Sequence, residues 1–346
     1  MQRLFVSLSI LVFLAQGVNA QDEFKMGNWR AHFPYHQVKF IAYDPPLIWA
    51  AGYSGLFSYH TIDNGIERYN SMNGLSDVGI TALRLHKAKK ALIIGYQSGN
   101  IDIMKDGLIT NVSDILRADI LGSKEIKNIK ISGNTVFIVT PFGISILNMD
   151  NYAVLSTYRF GASMVSMEVN DMTLLGDSIF VATSRGVYCA PRQGLNLLDF
   201  GNWKRLRNLP LASGNWDFCE GWADTLWLGR VVSGWQNDEI YLYSNGHYRR
   251  FSLTSFGGDI RKINAENGCL NVLTNNHLYW FRPNGTKVHD EPYFGTRLMG
   301  ASDLIAVGDW VFYLGDPING IIKKIKYSSD EQVIRPNGPE FYKSYH

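Results

Sequence analysis

A turn followed by a short apolar strand recurs along this chain, and the regularity of the recurrence restricts the fold more than any other feature. The motif reads SGLFSY at Gly55, SGNIDI at Gly99, FGISIL at Gly143, RGVYCA at Gly186, EIYLY at Glu239, HLYWF at His277 and NGIIKKI at Gly320. From position 55 to position 320 the period is about 44 residues, the size of a four-stranded blade rather than of a helical repeat. One such unit leaves both faces of its sheet apolar, so it needs copies of itself to cover them. The sequence predicts an all-β chain: a seven-bladed β-propeller of four-stranded antiparallel blades.

The second unit shows the pattern most plainly. It runs NGLSDVGITALRLHKAKKALIIGYQSGNIDIMKDG from Asn73 to Gly107. Apolar runs at Ile80–Leu85 and Ala91–Ile94 flank a Lys-rich turn, and Ile101 and Ile103 alternate with Asn100 and Asp102. A period of two marks strands. The same reading places a strand at Ile126–Ile131 in the third unit and others at Ala301–Val307 and Trp310–Leu314 in the seventh. The segment Trp29–Phe33 is expected to add an outer strand to the seventh blade, the alternative being that it lies across the ring edge.

The chain opens with Met1-Gln2-Arg3, an apolar run of about fifteen residues and Val18-Asn19-Ala20, the layout of a secretory signal peptide. Cleavage after Ala20 is expected, leaving residues 21–335 as the propeller and 336–346 as the start of a linker or tail. No later apolar run reaches the roughly twenty residues a membrane span needs, so the mature chain is expected to be exported and to be soluble or peripherally held. Aromatics at 13% and 33 glycines suit a folded all-β chain rich in turns. The formal net charge of +2 supplies no dense basic stripe for nucleic acid.

No nucleophile elbow, phosphate-binding loop, zinc-protease helix or EF-hand loop occurs. The expectation is therefore a non-enzyme with no cofactor and no metal. His32 and His36 are four apart, but Pro34 between them excludes a regular helix, so they are read as loop or packing histidines. Cys189, Cys219 and Cys269 fall in strands of three different blades, too far apart for a disulfide, and are read as buried small hydrophobes.

Two surface features remain. Lys204, Arg205 and Arg207, with Arg249 and Arg250, lie on the expected outermost strands of the fourth and fifth blades, which would be neighbours. Charge there either discourages edge-to-edge pairing or receives phosphate. The turn between the second and third strands is short in six blades, whereas the fifth has Arg230 to Asn237 with Trp235 at its tip. An exposed Trp would stack on a sugar or anchor a partner protein; the alternative is that it folds down over its own blade. Tyr53, Tyr96 and Arg185 are expected on the same face.

The segments GNWRAHFPY near Trp29, IWAAGYSGLFSY from Ile48 and NGLSDVGITAL from Asn73 carry a family likeness as well. The chain resembles the first propeller of the PorZ family, surface components of the type IX secretion system of Bacteroidota. Its NGLS turn is also similar to propeller repeats in the periplasmic sensor regions of two-component regulators, where a glycan-sensing role would follow. The PorZ resemblance implies a non-enzymatic part in an attachment complex with PorU, PorV and PorQ, which transfers cargo onto anionic lipopolysaccharide. It also implies continuation past Arg335–Pro339 into a second propeller and a C-terminal sorting domain.

Overall fold

Strands that are apolar on both faces require cover on both faces, and here each blade obtains it from its two neighbours. In the second blade all six residues of Ala91–Tyr96 are buried, as are four of the five in Ile101–Lys105. The computed structural model describes residues 33–161, 167–234, 238–251, 259–266, 269–275, 277–282, 286–292, 300–308, 310–328 and 330–337. They form seven four-stranded antiparallel sheets, each made of four consecutive strands. The expected seven-bladed propeller is therefore observed. Beyond strands, the described residues include the short helix Asp114–Arg117 and two single 3₁₀ turns.

The first strand of each blade lies innermost and touches the first strand of the next. These seven strands are Phe40–Asp44, Ile80–His86, Asn128–Ser132, Val169–Leu175, Phe218–Trp222, Ile260–Glu266 and Asp303–Val307. Those of blades 2, 4 and 6 carry a register shift near their start, at Ile80/Ala82, Val169/Asp171 and Ile260/Lys262. Bulges of this kind bend and twist a strand locally.

The motif glycine is explained by a close approach to the outer strand or the segment after it. Gly186 has φ +127°, and a Cβ there would lie 2.5 Å from the Ala212 carbonyl oxygen. Gly320, at φ +99°, would meet the Ile334 carbonyl at 2.7 Å. A buried threonine ends the strand before the turn in blades 3 and 4: Thr140 and Thr183 donate their hydroxyls to the carbonyls of Gly143 and Gly186 at 2.9 and 2.7 Å.

Some expected boundaries move. Ile126 and Ala301 are fully buried but precede the strands Asn128–Ser132 and Asp303–Val307. The Ile126 N–H bonds instead to the Tyr96 carbonyl of blade 2 at 3.2 Å. Trp310, expected within a strand, is 59% exposed and stands just before Val311–Asp316.

The segment expected to close the ring is described only at Phe33. Blade 7 ends with Glu331–Ile334 as its outermost strand, and Phe33 lies outside any strand, packed in the core shared by blades 1 and 7. Trp29 to His32 fall outside the described residues. The two blades are joined by hydrogen bonds: Asp303 accepts from the Ile41 N–H at 3.1 Å and the Asp316 carbonyl accepts from the Val38 N–H at 3.1 Å.

Candidate binding face and axial channel

Because the strands alternate in direction, turns between second and third strands gather on one face of the ring. The fifth blade's segment from Val231 to Asp238 is longer than its six counterparts, as the spacing predicts. Both of its ends are pinned. Asp217 accepts from the Val231 N–H at 2.7 Å, and Asp238 accepts from the N–H groups of Val232 at 2.9 Å and Ile260 at 2.7 Å.

Arg230 secures the base of this loop. Its guanidinium pairs with Glu239 at 3.0 Å, donates to the Asn215 carbonyl at 3.1 Å and lies 5.7 Å over the Trp216 ring. Glu239 also pairs with Arg250 at 3.3 Å and accepts from the Tyr241 hydroxyl at 3.1 Å. Burial, with Glu239 beside it, raises the Tyr241 pKa. Trp235, the residue expected at the loop's tip, lies outside the described residues.

Of the other residues expected on this face, Tyr53 and Arg185 are exposed. Tyr53 reaches Gln97 of blade 2 at 3.5 Å. Tyr96 corrects the expectation: it is completely buried, and its hydroxyl donates to Asp102 at 2.7 Å. Burial and the Asp102 carboxylate hold its pKa well above the usual phenol range. Such a side chain is structural and presents nothing to a ligand.

On the periphery, Lys204 and Arg205 form the short outer strand of blade 4, and Arg249 and Arg250 lie on that of blade 5, His247–Phe251. All four and Arg207 are exposed. Asn208, next to Arg207, donates to the Gly246 carbonyl at 3.4 Å, so the two outer edges are adjacent. Arg250 is committed in part to Glu239, and Arg249 lies 5.9 Å over Phe251.

Two further features carry no signal in the sequence. Exposed Trp310 and Tyr327 form an edge-on aromatic pair, 6.1 Å between ring centres. They stand at turns on the face opposite the long loop. The axial channel is the second feature, lined by polar side chains of the inner strands. Lys130 reaches past blade 4 to pair with Glu220 of blade 5, and Lys262 pairs with the buried Asp303. Burial opposes the Lys130 charge, but Glu220 and Asp171 outweigh it and raise its pKa. Burial raises the Asp171 carboxyl, with Lys130 partly offsetting it.

No three His, Cys, Asp or Glu side chains of the described residues group as metal ligands. The three cysteines are free thiols: Cys219 is buried, whereas Cys189 and Cys269 are only partly so. Burial and then Asp171 push the Cys219 thiol well above its ordinary value, so it stays protonated and inert. No helix of the described residues is long and apolar enough to cross a membrane.

Comparison with known proteins agrees with the resemblance read from the sequence. Residues 48–204 match the family model described as the type IX secretion system PorZ N-terminal β-propeller domain. No curated protein matches the chain. Among solved structures, PorZ of Porphyromonas gingivalis, described as an essential bacterial surface component of the type IX secretion system, aligns at TM-score 0.73 and 20% identity. That alignment covers 90% of this chain but 40% of PorZ, so the chain spans well under half of that protein's length. The WD40 β-propeller domain of Doa1 aligns at TM-score 0.61 and 8% identity, covering 87% of this chain and 95% of that one, a likeness of fold alone. By sequence from blade 1 into blade 4 this chain is similar to the N-terminal β-propeller domain of PorZ, and by fold, over 90% of its length, to part of the PorZ structure.

Proposed function

We propose that this propeller is a non-enzymatic interaction module of type IX protein secretion, acting at the outer-membrane surface or in the periplasm. Its partners in this reading are the attachment-complex proteins PorU, PorV and PorQ, and its contribution is to support attachment of cargo to anionic lipopolysaccharide. The match of residues 48–204 to the PorZ N-terminal propeller carries the proposal.

The face bearing the Val231–Asp238 loop is the proposed protein-binding surface, with Trp235, Tyr53 and Arg185 as contacts and Arg230 as the support beneath them. The ends of the loop at Val231, Val232 and Asp238 are held by hydrogen bonds, and ordered flanks lower the cost of binding. The peripheral cluster of Lys204, Arg205, Arg207, Arg249 and Arg250 is the proposed place for lipopolysaccharide phosphate.

The test is capture of purified PorU, PorV and PorQ, each in turn, on the immobilised protein. At least one should be retained at micromolar concentration, and Trp235→Ala should weaken that capture while the melting temperature stays the same. Failure to retain any of the three would remove the support for this reading. Loss of several kcal/mol of stability on Trp235→Ala, the cost of deleting a core aromatic, would make the loop structural instead.

A further inference from the structure

Trp310 and Tyr327 stand on two turns of blade 7, one between its first and second strands and the other between its third and fourth. Trp310 is 59% exposed, the one exposed tryptophan among the described residues, and Tyr327 is 69% exposed. Single exposed apolar side chains are ordinary on a protein surface. Two aromatic rings held against each other in solvent ask for a further reason.

The pair is fixed in place. The Lys326 N–H bonds to the Trp310 carbonyl at 2.8 Å and ties the two turns together. The Tyr327 ring meets His289 of blade 6 edge-on, 4.7 Å between centres; His289 stacks on the buried Trp280 at 5.3 Å, and Trp280 packs on Phe312 at 4.4 Å. The Tyr327 backbone lies in the left-handed region, at φ +64°, where a bulky residue is strained and glycine or asparagine is not. A ring that is mostly in solvent gains too little packing to account for that strain, which is a feature of residues that face ligands.

Four polar groups of these two turns have no hydrogen-bond or ion-pair partner among the described residues. They are the Trp310 indole N–H, the Tyr327 hydroxyl, the Lys326 ammonium, which lies 5.2 Å over the Tyr327 ring, and the Asp330 carboxylate. An apolar side chain from a partner protein would stack on the rings but strip water from these groups, a cost that nothing would offset. A sugar suits both features, since a pyranose offers a C–H face to an aromatic ring and a rim of hydroxyls that donate and accept. One ammonium and one carboxylate cancel, which favours a neutral sugar over a phosphorylated or acidic one. We propose that Trp310 and Tyr327 form a binding site for a neutral sugar unit of a glycan, one ring stacking on the pyranose and the other closing its edge, with Lys326 and Asp330 bonding to the hydroxyls. The site lies on the face opposite the long loop and does not depend on the secretion reading.

Saturation-transfer NMR and titration calorimetry test it, with mannotriose, cellotriose and chitotriose as probes. The wild-type protein should bind at least one of them at millimolar concentration. Trp310→Ala should weaken that binding by at least about tenfold, the loss typical of truncating an aromatic anchor. Tyr327→Asn should weaken it as well without lowering the melting temperature, because asparagine tolerates the left-handed backbone. The proposal is overturned if none of the three sugars binds, if both variants bind as wild type, or if Tyr327→Asn sharply lowers the melting temperature, which would make the ring structural. Capture of PorU, PorV or PorQ that is lost on Trp310→Ala would also overturn it, by making the pair a protein contact. Sugar binding with no capture of those proteins would support the site while removing the support for the secretion reading.

Discussion

Tyr96 ends a strand buried along its whole length, and the partner that fixes its role is Asp102 on the adjacent strand. Asp102 is itself fully buried, and also accepts from the Ser76 N–H at 2.8 Å and the Asn111 amide at 3.0 Å. Replacing Tyr96 with Phe removes one donor from this carboxylate, and a stability loss of about 1–3 kcal/mol is expected. It should appear as a lower urea midpoint with partner capture unchanged. Unchanged stability with weakened capture would return Tyr96 to the binding face. The sequence misleads here for a physical reason. An Asp alternating with Ile101 and Ile103 reads as a solvent-facing residue, but stacked blades cover both faces of a sheet, so alternation no longer separates inside from outside.

At the scale of the element, turns are the most legible part of the sequence and first strands the least. The long connection in blade 5 can be found by counting residues between apolar runs, whereas the register shifts in blades 2, 4 and 6 leave no signal in composition. Ile126 reads as part of a strand because burial, not pairing, is what hydrophobicity reports. The turn glycines answer two different demands that a sequence cannot tell apart. Gly186 combines positive φ with the Ala212 carbonyl close by, whereas Gly107, at φ +76°, has nothing within 4 Å of where a Cβ would stand. Gly186→Ala should therefore cost more than Gly107→Ala, which bears backbone strain alone, of about 1–3 kcal/mol. Paired denaturation curves decide the matter: equal midpoints would mean that the close approach to Ala212 is relieved without cost.

Across the whole molecule, each of the seven apolar clusters spans two neighbouring blades. Phe137 and Val139 of blade 3 pack with Met172 and Val181 of blade 4, and Ile48 and Phe57 of blade 1 pack with Tyr313 and Ile321 of blade 7. A blade in such a ring shares its core with both neighbours, which is why a period of about 44 residues reveals the architecture and why no single repeat would fold alone. The seam between blades 7 and 1 is an ordinary interface of this kind, with Asp303 bonded to Ile41 on one side and paired with Lys262 of blade 6 on the other. Removing residues from 300 onward therefore uncovers two apolar surfaces at once, Ile48 and Phe57 on blade 1 and Leu273 and Trp280 on blade 6. It also takes away the Asp303 carboxylate with which Lys262 pairs. The truncated protein should bind a hydrophobic dye and lose the single sharp unfolding transition expected of the closed ring. A monomeric truncated protein that unfolds at the wild-type midpoint would show instead that six blades are stable without closure, and that the seam contributes little to the fold.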